Sequence, residues 1–365
     1  MARAATRKKK SRLVPVLILL LIFSAITFIL VRNHLVSSKN YDEVFDPSSD
    51  QSFLINIPSG ASTKRISQIL EESGIIESAW KFSLKARLNE LDGKFQAGDY
   101  MLSASMSTTK IMEQLQCGKS ATVKFTIPEG YTIRQTAAKL VEQGMLSDVQ
   151  QFYDACADDY NYEFLDGIEA EPDPSGTLDA RQNRLEGFLF PSTYEIYPGT
   201  DAHGIIDRML KQYEIVYEKC REGLDDRAAA LSAREIATLA SLIEKESAVD
   251  KDRALISSVI YNRLKKGMLL QIDATVLYSL GEWKDRVLYK DLEIDSPYNT
   301  YKYEGLPVGP ISSSGEASIY AALHPETSKY IYYVLKPDKS GAHNFAEDYK
   351  TFEKYKQEYL NSVNN

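Results

Sequence analysis

ATLASLIEKESAVDKDRALISSVIYNRL, residues 237–264, sets two acids into what otherwise reads as an apolar helix. At about 100° per residue from Ile236, Leu239, Ala240, Leu242 and Ile243 fall on one broad apolar stripe. Glu246 lands inside that stripe, Glu244 at its border, and Lys245 points away. Acids two residues apart on a helix diverge, so Glu244 and Glu246 are no carboxylate dyad on this element. A glutamate on a core-facing stripe is costly unless paired, and desolvation raises its pKa toward the range of a general acid. The alternative is that Glu246 ends a fraying helix and reaches solvent or a neighbouring backbone.

Ser232, with Glu235 three residues later, is a capping box that starts this helix. Asp252 can cap a second helix, Arg253–Lys266, which Gly267 stops. MLLQIDATVLYSLG (268–281) follows, an apolar run interrupted by Gln271 and Asp273. SPYNTYKYEGLPVGPISSSG (296–315) then places Tyr298, Asn299, Thr300, Tyr301 and Tyr303 among proline and glycine turns. Rings that stack on pyranose faces and amides that bond hydroxyls suit a sugar-binding cleft, although turn chemistry alone explains the prolines and glycines. Ser314–Leu323 reads as a helix, YIYYVL (330–335) as a buried strand, and Asp348–Leu360 as a charged terminal helix.

Upstream lies an internal duplication. INIPSGASTKRISQILEESGII (55–76) aligns with FTIPEGYTIRQTAAKLVEQGML (125–146) at an offset of 70. AGDYMLSASMSTTKIMEQL (97–115) aligns with PSTYEIYPGTDAHGIIDRML (191–210) at an offset of 94, pairing Tyr100 with Tyr194. Each copy predicts a short strand ending in a Pro-x-Gly turn and an amphipathic helix closed by glycine. The difference of 24 is an insertion in copy two around Asp158–Asp179, acidic and rich in Pro, Gly and Asp, and therefore expected as an exposed loop.

The N-terminus is basic from Arg3 to Arg12 with no acid, and Leu13–Val31 is uncharged and long enough to span a bilayer. The basic flank stays in the cytoplasm, so everything after Arg32 is exported. The long apolar run without a small-x-small cleavage site reads as an anchor rather than a cleaved signal peptide. Residues 33–365 hold 36 basic and 51 acidic residues, a net of −15, which argues against nucleic acid or an anionic membrane surface as a partner. Cys117, Cys156 and Cys220 form no CxxC pattern, and His34, His203, His324 and His343 form no cluster, so neither a disulfide framework nor a metal enzyme is expected.

ASLIEKESAVDKDRALISSVIYNRLKKGMLLQIDATVLYSLG (240–281), YNTY (298–301), GLPVGPI (305–311) and HNF (343–345) together resemble the signature of the MltG (YceG-like) endolytic murein transglycosylases. The paired IPxG segments and FQAGDY (95–100) resemble that family's LysM-like region. The resemblance implies an α+β protein: a cytoplasmic tail 1–12, a transmembrane helix 13–31, a linker 32–51, a LysM-like module 52–120, a second module 121–225 carrying the acidic insertion, and a catalytic domain 226–365. It implies that Glu246, the second acid of the EKE[ST] motif, is catalytic. Glu244, Asn262, Gln271, Asp273, Thr275, Tyr278, Asn299, Tyr301 and His343 would bind substrate, with no metal or cofactor. The implied reaction cleaves MurNAc-β-1,4-GlcNAc bonds in peptidoglycan with 1,6-anhydro-MurNAc ends, terminating nascent strands beside membrane-bound synthases. A non-catalytic, membrane-anchored peptidoglycan-binding scaffold and a muramidase are the alternatives. The chain departs from the family's pattern at Ala274, where proline is common, at Ser313-Ser314-Gly315, where Asn-Pro-Gly is frequent, and in its charged terminal helix.

Overall fold

A computed structural model of the chain describes residues 22–24, 26–27, 44–49, 52–118, 122–197, 199–281, 284 and 287–363. The expected span 13–31 lies almost wholly outside these residues, as does most of the linker. Among the described residues no helix is long and apolar enough to cross a membrane. Helices and strands are mixed, as the α+β reading expects, with three two-stranded sheets among the described residues. The chain divides into two compact units, Met1–Val123 and Lys124–Asn365.

The first unit runs β1 (Ser52–Ile57), α1 (Thr63–Glu72), α2 (Ala79–Leu88), β2 (Gly98–Ser103), α3 (Thr108–Cys117). β1 and β2 pair antiparallel with Ile55 opposite Tyr100 and Ile57 opposite Gly98. Alternation turns Ile55 and Ile57 into a core with Ile66, Leu70, Phe82 and Leu115. Ser62, Ser78 and Ser107 cap the three helices, each accepting from a backbone N–H of the first turn.

The second unit opens with the same plan: β3 (Val123–Thr126), α4 (Ile133–Glu142), α5 (Val149–Cys156), β4 (Thr193–Ile196), α6 (Ala202–Cys220). α1 and α4 correspond residue for residue at the offset of 70, and α3 and α6 start in step at 94. The caps correspond too, with Thr132, Asp148 and Asp201 at the equivalent positions. Strand register follows: the Asn56–Asp99 side-chain bond becomes Thr126–Thr193, and the Ile55–Tyr100 pair becomes a stack of Phe125 on Tyr194, with centroids 5.1 Å apart. Tyr100 and Tyr194 each donate to the carbonyl four residues earlier, Gln96 and Phe190. Gly60 and Gly130 both take left-handed φ, 76° and 74°, which the Pro-x-Gly turn requires.

The insertion is a loop with most of its residues exposed, as its composition suggests, but it is pinned to the fold from inside. Tyr160, Tyr162, Phe164, Leu165 and Leu178 are buried, and Phe164 packs on Phe188 and Tyr213. Asp173, 6% exposed, accepts from the Ser175 and Leu178 backbones and organises the Pro-Ser-Gly turn from inside. Acidic and turn-forming residues set the path while scattered aromatics anchor it, and averaged composition hides the aromatics.

The remainder is α7 (Ala233–Glu246), α8 (Asp250–Lys265), α9 (Asp273–Leu280), α10 (Glu316–Leu323), the antiparallel pair β5 (Tyr332–Leu335) and β6 (His343–Ala346), and α11 (Tyr349–Val363). The expected capping box of α7 is present, Ser232 and Glu235 bonding reciprocally. Residues 236–243 are buried on every side, not along one stripe. Thr238 and Ser241 fit there because their hydroxyls donate to the Arg234 and Thr238 carbonyls. α8 starts three residues before the expected Arg253, and Asp252 is buried inside its first turn rather than capping it. The strand read as buried is half-buried, because β5 pairs with β6 and turns one face toward the end of α7.

Candidate active site

Glu246 is the last residue of α7, partly buried, with Ser247 turning the chain away in extended conformation. Tyr333, on β5, donates its phenol to Glu246 Oε2 at 2.8 Å. Burial pushes the Glu246 carboxyl up to about 7; the Tyr333 bond pulls the other way, the Asp273 carboxylate pushes further up, and the Arg263 guanidinium opposes it. Among the described residues no group of three His, Cys, Asp or Glu is arranged to hold a metal ion.

Two supports hold this pair. The Tyr333 ring meets His343 edge-on, with centroids 5.4 Å apart. Asp252 accepts from the His343 backbone N–H at 2.6 Å and stands 3.1 Å from its Nδ1. Burial lowers the imidazole pKa although Asp252 works against it. Arg263, from α8, donates to the Ile331 carbonyl at 2.7 Å and the Leu270 carbonyl at 2.8 Å, clamping the start of β5 to the turn before α9. Its charge is thereby fixed near Glu246.

The turn into α9 supplies the other wall. Gln271 is exposed and sits at φ 54°, its N–H donating to the Thr300 carbonyl. A glutamine in left-handed conformation is strained and persists only when its surroundings impose it. Asp273 begins α9, is exposed, and accepts from the Tyr301 phenol at 2.5 Å. Tyr301 also feels the charges of Glu246 and Arg263.

The structure therefore gathers Asp273 and Tyr301 around Glu246, with Gln271 two residues before Asp273 on the same turn. The other expected contact residues are committed elsewhere. Thr275 and Asn299 are fully buried. Thr275 bonds Thr300 and the Ile272 carbonyl, and Asn299 donates to the Leu292 and Ile294 carbonyls. Asn262 donates to the Ser328 and Tyr330 carbonyls. Tyr278 lies on Tyr298 in a buried polar cluster with Glu186, and His343 stands behind Tyr333.

Glu244, expected among the substrate-binding residues, is committed to the fold. Its carboxylate is buried, 3.5 Å from Arg253, and accepts from the Gly315 N–H at the start of α10. Glu129, of the second module's Pro-Glu-Gly turn, lies so close to Gly315 that a Cβ there would meet its Oε1 at 2.0 Å. Ser313 exchanges backbone hydrogen bonds with Gly130 and Tyr131 of the same turn. Lys245 does not point away either; burial lowers its pKa and its ammonium donates to the Gly130 carbonyl. Among the described residues, Glu244 is bonded by Arg253 and Gly315 and Glu246 by Tyr333.

Tyr333, Arg263 and Asp252 went unread as site residues. Arg263 stood in the quoted Asn-Arg-Leu, next to the asparagine that was chosen. In YIYYVL, alternation sends Tyr333 to the face opposite Tyr332 and Val334, and a phenol on a strand taken as buried needs a partner.

The family model of the YceG-like family matches residues 55–358. An endolytic murein transglycosylase of Bacillus subtilis (strain 168) is 39% identical over 332 residues, covering 89% of this chain and 90% of that protein. A protein of the same name from Streptococcus pneumoniae (strain ATCC BAA-255 / R6) is 30% identical over 339 residues, 87% of this chain, which spans 60% of that protein's length. A crystal structure of a putative YceG-like protein from Listeria monocytogenes is 40% identical, with a TM-score of 0.53 over 84% of this chain and 99% of that one.

Proposed function

The chain belongs to the YceG-like family, and we propose that it acts as an endolytic murein transglycosylase, held at the cell membrane by residues 13–31, with residues 1–12 in the cytoplasm and the chain after Arg32 outside. The observation that carries the chemistry is Glu246: a carboxyl at the end of a buried helix, pushed up to about 7, with one oxygen engaged by Tyr333.

One group then serves as both acid and base. Tyr333 donates to Oε2, so the proton of the neutral carboxyl resides on Oε1. Oε1 delivers it to the glycosidic oxygen as the bond from the MurNAc anomeric carbon to GlcNAc breaks. The MurNAc 6-hydroxyl attacks that carbon, closing a 1,6-anhydro ring, and its proton passes to Glu246. The acid is restored and no water is consumed. A pKa near the working pH lets a single carboxyl do both transfers. Tyr333 and Arg263 favour the ionised form between them; Asp273 limits how far. Gln271, Asp273 and Tyr301 line the seat of the sugar.

Residues 52–120 and 121–225 act as LysM-like modules ahead of the catalytic part 226–365. They place the cleft on glycan emerging from membrane-bound synthases. A muramidase would instead need a second carboxylate to activate water; Asp273 is the acid whose field reaches Glu246.

The test is mass analysis of polymeric glycan digested by the purified chain. Anhydro ends support the transglycosylase, reducing ends assign Asp273 to a hydrolase, and no products leave a scaffold. Topology is tested separately: protease added outside spheroplasts should remove the exported part, and full protection would refute the anchor.

A further inference from the structure

The first module carries an apolar face that its fold does not demand, and the duplicated copy serves as the internal control. On α2, Trp80, Leu84 and Leu88 recur at helical spacing, with Trp80 72% exposed. The equivalent positions of α5 and its end are Gln150, Asp154 and Asp158, and Gln150 donates to Asp154 at 2.8 Å. The same backbone is thus content with a polar stripe there. In the first copy the stripe borders a cavity of about 590 Å³ whose walls include Phe45, Ile76, Trp80, Leu84, Leu88 and Met106. Lys81 and Lys85 stand along its edge with Glu77, Lys81 paired to Glu77 at 2.8 Å and Lys85 donating to Thr109 at 3.1 Å. An exposed apolar groove with this composition marks an interaction surface.

What covers it follows from where the chain enters. Val44 lines the same cavity and is bridged to Ser107, with Asp46 bonded to the Ala104 carbonyl, so the tether joins the module at the groove itself. Only residues 32–43 separate that point from the end of the expected span at Val31. Twelve residues reach at most ~40 Å when extended and roughly 20 Å as a flexible chain. Tryptophan at a membrane–water interface, aliphatic side chains below it and lysines reaching back to phosphates are the pattern of a surface that rests on lipid. The acid excess that argues against a membrane partner is carried elsewhere: residues 52–118 contain seven basic and seven acidic residues.

We propose that the Trp80 face of the first module docks on the phospholipid bilayer that anchors the chain, its groove taking acyl chain and its lysines the headgroup phosphate. The docking rests on reading residues 13–31 as a membrane span. It would hold the module against the membrane rather than let it swing on its linker.

The test uses the full chain in phospholipid vesicles. Trp283→Phe leaves Trp80 as the sole tryptophan. In vesicles with brominated acyl chains, Trp80 should lose most of its emission relative to plain vesicles. For a second reading, Trp80→Cys is labelled with dansyl in a chain whose exposed Cys117 is replaced by Ser, and the label should emit at shorter wavelength in vesicles. That shift should disappear when Leu84→Asp and Leu88→Asp are added, the residues with which the second copy folds. Unquenched Trp80 on a chain that floats with the vesicles would overturn the docking alone. Failure to float would overturn the anchor and the docking together. Unquenched emission combined with a crosslink from position 80 to another protein in cells would make the face a protein interface instead.

Discussion

Tyr333 and Glu246, 87 residues apart in sequence, share a 2.8 Å hydrogen bond that engages one oxygen of the carboxyl, Oε2. The bond also favours the ionised form. Tyr333→Phe should therefore raise the Glu246 pKa above about 7 and lower turnover by roughly tenfold, the worth of one hydrogen bond to a charge. The alkaline limb of the pH–rate profile should move upward. An unchanged profile with lower activity would mean that Tyr333 only supports the fold.

Glu244 ties Arg253 to the N–H of Gly315, the residue that precedes α10. Glu244→Ala strands the Gly315 amide and takes one carboxylate from Arg253, which keeps Asp250 and Ser318, and should cost about 1–3 kcal/mol of stability. The anhydro product should persist at temperatures where the variant is folded. Denaturant melts paired with product analysis check this; loss of product from a fully folded variant would give Glu244 a chemical role.

Glu186 is 2% exposed, and burial pushes its carboxyl up to about 8 although the Ile133 N–H donates to it. Its folded pKa lies above its ordinary value, so the native state holds the proton more tightly than the unfolded chain. Stability contributed by this group is present at low pH and falls as pH rises from the ordinary carboxyl range through about 8. Glu186→Gln should flatten that decline in melts taken across pH, with the variant gaining most on the alkaline side. An identical pH dependence in both proteins would contradict it.

The duplication was legible down to strand register because glycine turns, helix caps and core tyrosines recur at fixed offsets, and each has a local cause. Glu246 was legible because an acid within an apolar helical pattern has few bland explanations. Of the surroundings of Glu246, Asp273 and Tyr301 were named in the sequence and the rest were not. Thr275, Asn299 and Asn262 are residue types that hold sugars, yet here each is saturated by backbone carbonyls or by Thr300, and those partners come from chain segments that only the fold brings near. Tyr333 reaches Glu246 through a hairpin, a long-range pairing that leaves no trace in the periodicity of either segment. The insertion was legible as a turn-rich, largely exposed loop, but its five buried apolar side chains were averaged away.

Glu246→Gln on polymeric, uncrosslinked glycan, with mass spectrometry of the chain ends, tests the central assignment most directly. Wild-type chain should yield 1,6-anhydro-MurNAc ends, and the variant should lose them by at least the ~10²–10⁴ that a general acid-base group contributes. The variant should also be no less stable, its advantage growing as pH rises through about 7, where the native carboxyl must ionise. Near-normal anhydro product from folded Glu246→Gln, or reducing ends from the wild-type chain, would contradict it.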